Sequence, residues 1–178
     1  MVNLEVVKTF ASLAHRDQVR KYTGEPYVDH CIAVSLMYQS WCAEMDQSAL
    51  YAAVLHDTVE DTGVSMEDIQ DFFGPKVAEY IWYLTKPEDF VGDRAQRKAL
   101  DRARLALAPE VVRFVKIIDI MHNAGSIREH DPEKWETWRV EMIQLLDAMK
   151  SESVWKSQAG HWAQRKYSEF IAELIDGL

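Results

Sequence analysis

Cysteine is scarce in this sequence: Cys31 and Cys42 are the only two, and no C-x-x-C spacing joins them. A disulfide framework is excluded as the organising device, and the expectation is two reduced thiols in a cytoplasmic protein. Positive charge is also short, with 20 Lys and Arg against 29 Asp and Glu and a formal net charge of −9. A chain so acidic is not expected to wrap nucleic acid, whose phosphates attract basic surfaces, although a local basic pocket for a small anion is compatible with it. No apolar run approaches the length that spans a bilayer, so no membrane partner is expected. The opening "MVNLEVVKTFASLAHR" is broken by Glu5 and Lys8 and lacks the charged start and unbroken apolar core of a signal peptide. Repeats, low-complexity tracts and alternating strand patterns of useful length are absent as well.

What is present reads as helix. Hydrophobic residues make up 48% of the chain, with six Trp and seven Tyr, which excludes disorder; 178 residues suit one compact domain. Leu4, Val7, Phe10, Ala11 and Ala14 recur at three- and four-residue steps, predicting a first helix that reaches about Arg20. Gly24 and Pro26 then break it. Further helices are predicted from about Asp29 through "CIAVSLMYQSWCAEM", from Gln47 through "SALYAAVLHD", and over "SMEDIQDFF", where Ser65 and Asp68 form a capping box. Gly74-Pro75 ends that helix and starts the next, in which Trp82 and Tyr83 read as core. A polar loop, "TKPEDFVGD", precedes the helical "RAQRKALDRARLALA". Pro109 opens "EVVRFVKIIDIMHN", Asp131-Pro132 caps another helix, and "WRVEMIQLLDAM" and "KYSEFIAELI" finish the chain. The expected fold class is all-α, one domain over residues 1–178.

One stretch resists that pattern. "AAVLHDTVEDTG" places His56, Asp57, Glu60 and Asp61 directly after an apolar run. On a helix turning about 100° per residue the four fall within roughly 140° of arc. Like charges repel at that spacing, and burying any of them costs free energy. A divalent cation resolves the conflict, and imidazole with carboxylate suits manganese, iron or zinc. Two further residues can complete such a site: His30, just after the Pro-containing turn, and Asp119, flanked by Ile117, Ile118, Ile120 and Met121. A carboxylate in so apolar a helix calls for a partner or a metal.

The order His30, His56-Asp57, Asp119 resembles the H…HD…D signature of the HD-domain metal-dependent phosphohydrolases. More narrowly, "AHRDQVRKYTGEPYVDH", "AAVLHDTVEDT", "FFGPKVAEYIWYLTK" and "VKIIDIMHN" resemble the hydrolase domain of RelA/SpoT proteins. The length is similar to that of the stand-alone members, the small alarmone hydrolases. The resemblance implies an all-helical HD-domain bundle, its motifs within about residues 14–126, holding one Mn²⁺ through His30, His56, Asp57 and Asp119. It implies removal of the 3′-pyrophosphate from the nucleotides ppGpp and pppGpp, leaving GDP or GTP and pyrophosphate. Glu60 and Asp61 are then the acid–base pair that positions and activates the attacking water. The same site acting on the adenosine alarmones (p)ppApp, or as an NADPH 2′-phosphatase, stays open here. So does a nucleotide-binding module that has lost catalysis, although no ligand and neither member of the Glu-Asp pair is missing. The length leaves no room for a synthetase domain, so degradation alone is expected. A homo-oligomer and an alarmone-making toxin as functional counterpart also stay open.

For the substrate, the resemblance implies Arg20 and Lys21 beside the base and its phosphates, with Asn123 and Ser126 near the ribose. Lys116, three residues before Asp119, matches a family lysine; a snorkelling surface lysine is the plainer alternative. Arg94, Arg97 and Arg104, with Lys98 and Arg102, form a basic stripe in an acidic chain. Arg97 and Lys98 are the expected clamp for the leaving pyrophosphate, against the alternative of a solvated charged face. Tyr22 is a fair stacking partner for a base. His15 reads as a support for the site or as a capping or core residue, and His122 as a group able to approach the metal but not counted among its ligands. Asp17, where Gly is usual, and Cys31, where Pro is common, are departures that remove no ligand.

Overall fold

The structure, a computed structural model, describes residues 2–86 and 92–175, without the side chains of residues 161 and 162. Residues 87–91 of the expected polar loop lie outside the described residues. Among the described residues the chain is helical, with two isolated β-bridges and no strand. No helix there is long and apolar enough to cross a membrane.

α1 (Leu4–Ala14) starts where the Asn3 side chain accepts the Val6 amide, and it stops well short of Arg20. His15 is its C-cap, and Gln18 closes back on the His15 ring at 2.6 Å. The chain then pairs Val19 antiparallel with Pro26, and the Arg20 amide donates to the Glu25 carbonyl at 2.8 Å. Gly24, at φ 72°, takes the left-handed turn this needs. Arg20 and Lys21 therefore ride a tight loop rather than a helix face. Local polar closure and the turn outcompete the weak continuing periodicity.

α2 (Tyr27–Trp41) begins two residues before the expected Asp29. α3 (Gln47–Leu55) starts on Asp46, whose carboxylate accepts the Ser48 and Ala49 amides at 2.7 and 3.1 Å. It ends at Leu55, so the expected continuous helix breaks at His56-Asp57 and resumes as the single turn α4 (Thr58–Asp61). α5 (Met66–Phe73) carries the expected Ser65–Asp68 capping box, and α6 (Pro75–Leu84) follows Gly74 at φ 89°. α6 buries Val77, Ala78, Tyr80, Ile81 and Leu84, a stripe that turns Trp82 outward. Trp82 is 56% exposed, against its expected place in the core, and Tyr83 is half-buried.

α7 (Arg94–Ala106) is capped by Asp93 and α8 (Glu110–His130) follows Pro109. α9 (Pro132–Ala148) starts on Asp131, which accepts the Lys134 amide at 3.2 Å. α10 (Ser151–Gln158), not separately expected because "SESVWKSQ" is mostly polar, follows Lys150 at φ 51°. α11 (His161–Ile175) is the last helix. The core centres on α3, which buries Ala49 through Leu55 apart from half-buried Tyr51, and on the apolar middle of α8. α2, α6 and α8 all pack on α3. That arrangement brings the start of α2, the break after α3 and the middle of α8 to one place.

Candidate active site

Those three elements carry His30, the His56-Asp57 joint and Asp119. His56 is buried; its Nδ1 lies 3.0 Å from the Ala53 carbonyl, which directs Nε2 inward. His30, also buried, meets His122 at 2.9 Å through Nδ1 and likewise turns Nε2 inward. The two Nε2 atoms are 3.2 Å apart. Asp57 Oδ2 lies 3.1 Å from His56 Nε2 and 3.7 Å from His30 Nε2, while Asp119 Oδ1 lies 3.6 and 3.1 Å from the same atoms. Atoms bound to one ion at about 2.0–2.2 Å stand roughly 3.0–3.6 Å from their neighbours. The observed spacings and the mixed nitrogen–oxygen donor set therefore fit a single divalent cation. The donor atoms of His30, His56 and Asp57 lie within 4.8 Å of one another, and Asp119 closes on both imidazoles.

A second layer fixes these donors. The Tyr27 hydroxyl donates to Asp57 Oδ2 at 2.7 Å. Lys116 donates to Asp119 Oδ2 and Asn123 to Asp119 Oδ1, both at 2.7 Å. Burial alone would raise both aspartates; the neighbouring His56 charge pulls Asp57 well below the usual carboxylate range, and Lys116 does the same for Asp119. Burial would likewise lower His56, yet Asp57 and Asp119 raise it well above its ordinary value. Burial wins at His30, which is lowered, and at His122, which falls to about 4. The two carboxylates thus favour the protonated form of His56.

The joint between α3 and α4, rather than one helical face, presents the four residues of the opening stretch. Glu60 is half-buried and turned to Lys86, whose ammonium and backbone amide both donate to it, the amide at 3.2 Å. Asp61 is exposed; desolvation of its carboxyl and the charge of Asp57 raise it, while a bond from Tyr27 draws it back. The Gln18 side chain holds the Asp61 carbonyl. His15 is buried, stacked on Tyr27 at 5.1 Å between rings, with Thr58 Oγ1 3.5 Å from its Nε2.

The expected substrate residues divide. Arg20 donates to Asn123 at 2.7 Å and reaches Ser126 at 3.5 Å, so these three come together beside Asp119. Lys21 is exposed and pairs with Asp131 at 3.3 Å. Tyr22 is occupied: it stacks on His130, takes cations from Lys21 and Lys134, and donates to Asp131. Lys98 and Lys116 line a chamber of about 170 Å³ with Lys86, Arg104 and Asp119. Arg97 is exposed on α7 and does not line it. Nor is the basic stripe one solvated face, since Arg104 is nearly buried and Arg94 pairs bidentately with Glu141. A larger cleft of about 940 Å³, between α9, α10 and α11, contains none of these residues.

Tyr27 and Lys86 are contacts that sequence reasoning missed, and Arg104, named in the basic stripe, was passed over in favour of Arg97. Tyr27 stood three residues before His30, a same-face spacing available to inspection. Lys86 and Arg104 reach the site only through the packing of α6 and α7.

The HD domain family matches residues 7–148 of the chain. The guanosine-3′,5′-bis(diphosphate) 3′-pyrophosphohydrolase MESH1 of Drosophila melanogaster is 33% identical over 127 residues, covering 71% of this chain and 70% of that protein. The human protein of the same name is 32% identical over 133 residues, 74% of this chain and 73% of its own. A probable GTP pyrophosphokinase of Mycobacterium leprae is 34% identical over 150 residues, 81% of this chain but 19% of that much longer protein. Among solved structures, a metazoan orthologue of SpoT that hydrolyses ppGpp superposes with TM-score 0.73 at 27% identity, over 84% of this chain and 87% of its own.

Proposed function

The chain belongs to the HD-domain family, among the stand-alone hydrolases of the RelA/SpoT superfamily, and from that premise we propose that it hydrolyses ppGpp and pppGpp to GDP or GTP and pyrophosphate. The observation that carries this reading is the His30–His56–Asp57–Asp119 cluster opening onto a chamber lined by Lys86, Lys98, Arg104 and Lys116. Such a chamber suits the polyanionic pyrophosphoryl group that water attacks, because donors already in place offset its charge.

His30, His56, Asp57 and Asp119 would hold the cation, which we take as Mn²⁺. A bound divalent ion lowers the pKa of a water molecule and offsets phosphate charge. Glu60 accepts the proton of the attacking water. The water oxygen bonds to the phosphorus of the 3′-pyrophosphoryl group and the bond from that phosphorus to the ribose 3′-oxygen breaks. Asp61, whose carboxyl is raised by desolvation and by the charge of Asp57, returns a proton to the 3′-oxygen. Lys98 and Lys116 receive the departing pyrophosphate, while Arg20, Asn123 and Ser126 seat the nucleoside side, with Lys21 outside them. Arg97 could join only if its side chain turned inward, and it is left out of this scheme.

Purified protein incubated with ppGpp and Mn²⁺ should release pyrophosphate, measured beside (p)ppApp and NADPH at equal concentration. A metal-loaded protein that leaves ppGpp intact overturns the reading; faster turnover of another substrate reassigns it.

Stripping the ion should lower thermal stability. At a metal concentration 100 times its dissociation constant, binding contributes about 2.7 kcal/mol, which corresponds to roughly 5–10 °C in a domain of this size. Ion uptake displaces the proton that His56 holds above its ordinary range, so affinity weakens as pH falls. Scanning calorimetry with chelator and with Mn²⁺, at two pH values, checks both the shift and its sign. Equal melting points with and without the ion would remove the metal from the scheme.

A further inference from the structure

The proton acceptor sits on a weak support. Glu60 belongs to the four-residue α4, which has no side-chain cap, and its long side chain has several free rotors. Its carboxylate is nevertheless held at two points. Oε1 takes the Lys86 ammonium and Oε2 takes the Lys86 amide at 3.2 Å.

That amide is one end of the planar Thr85–Lys86 peptide unit. The other end, the Thr85 carbonyl, accepts from the Arg104 guanidinium. A single peptide plane is therefore gripped from both sides, by a cation at its oxygen and a carboxylate at its N–H. Donation to the carbonyl polarises the amide and strengthens its own donation. Arg104 is well placed for this: its side chain is 8% exposed and Asp101, one turn earlier on α7, holds it at 3.1 Å. Thr85 is anchored in turn, its amide and hydroxyl both donating to the Ile81 carbonyl at 2.9 Å.

We infer that Lys86, through its ammonium and its amide, positions Glu60 for proton transfer, and that Arg104 fixes the peptide through which it does so. The inference rests on Glu60 being the proton acceptor of the proposed reaction. Lys86 is a positioning residue, acting through Glu60. Its side chain is 55% exposed and lies between the chamber and a second cleft of about 530 Å³, so its truncation opens no buried void.

The test uses the full-length, Mn²⁺-loaded protein with ppGpp. Lys86→Met should lower kcat about 10²-fold, the low end of what a well-placed proton acceptor contributes, with KM changed less than about threefold. Lys86→Arg should recover at least about a tenfold share of that loss, because a cation returns to Oε1 and the amide is untouched. Mn²⁺ affinity by titration calorimetry and the melting temperature should match the parent. In the Glu60→Gln background, Lys86→Met should add less than about threefold, since its partner is already disabled. Three results overturn the inference: kcat within about threefold of the parent, a loss confined to KM as for a plain phosphate ligand, or a loss that multiplies with that of Glu60→Gln. A parent protein that binds Mn²⁺ yet leaves ppGpp intact is a different failure. It removes the underlying reaction, and this inference with it.

Discussion

Asp57→Ala lowers kcat/KM for ppGpp by roughly 10³-fold or more, the range expected when an ion and its activated water are lost together. The carboxylate oxygen it removes lies 3.1 Å from His56 Nε2 and 3.7 Å from His30 Nε2, in the middle of the donor set. Asp119 does not replace it, because Lys116 and Asn123 each hold one of its oxygens in place. The fold should survive. Asp57 precedes α4 but its side chain makes no cap bond; the change takes one acceptor from the Tyr27 hydroxyl, a cost of about 1 kcal/mol, and leaves His56 facing Asp119 as its remaining carboxylate. Asp57→Asn sharpens the test, since it keeps the shape and an acceptor for Tyr27 but removes the charge. Both variants should show unchanged circular dichroism, weakened Mn²⁺ binding in calorimetry and no pyrophosphate release. Turnover within tenfold of the parent in either would remove Asp57 from the ligand set.

The gathering of His30, His56, Asp57 and Asp119 was legible because these residues violate their local pattern. A carboxylate between four apolar neighbours, as at Asp119, or a His-Asp pair after a buried run, is informative when nothing nearby can compensate it. Helix starts were legible for a related reason: Asp46, Ser65, Asp93 and Asp131 bond the amides just ahead of them, an interaction local in sequence. Helix ends were less so. α1 stops at Ala14 because Gln18 and the Val19–Pro26 bridge offer better partners, and those depend on the return of the chain. The break at His56-Asp57 was hidden by continuous helical periodicity, which cannot register a single-residue change of direction. Electrostatic partners across helices were the least legible. Arg97 and Lys98 looked equivalent, yet one points to solvent and the other lines the chamber; Lys86 and Arg104 reach the site through the packing of α6 and α7.

Trp155→Ala should destabilise the protein by about 3–5 kcal/mol, the usual cost of emptying a buried aromatic site. Trp155 is 1% exposed and stacks on Tyr167 of α11 at 4.6 Å between ring centroids. It also meets Phe114 of α8 at 4.9 Å and Trp41, the last residue of α2, at 5.8 Å. Its indole N–H donates to the Ala163 carbonyl at 3.2 Å, so truncation loses a buried hydrogen bond as well as leaving a void. The connection reaches further than one side chain. The Ala43 amide donates to Gln158 and the Gly160 amide to Trp41, at 2.7 and 2.8 Å, pinning the end of α2 to the segment that follows α10. α2 and α8 carry His30 and Asp119 toward their other parts, so α10, which lies beyond the HD match ending at residue 148 and on which α11 packs, braces the two helices that carry these residues. Chemical denaturation should therefore show one cooperative transition with a lower midpoint and an unchanged slope. Well below that midpoint, ppGpp turnover should stay within a few-fold of the parent, because no ligand contacts Trp155. A loss under about 1 kcal/mol would mean that α10 and α11 unfold independently of the rest, and the bundle that positions the site would then end with α9.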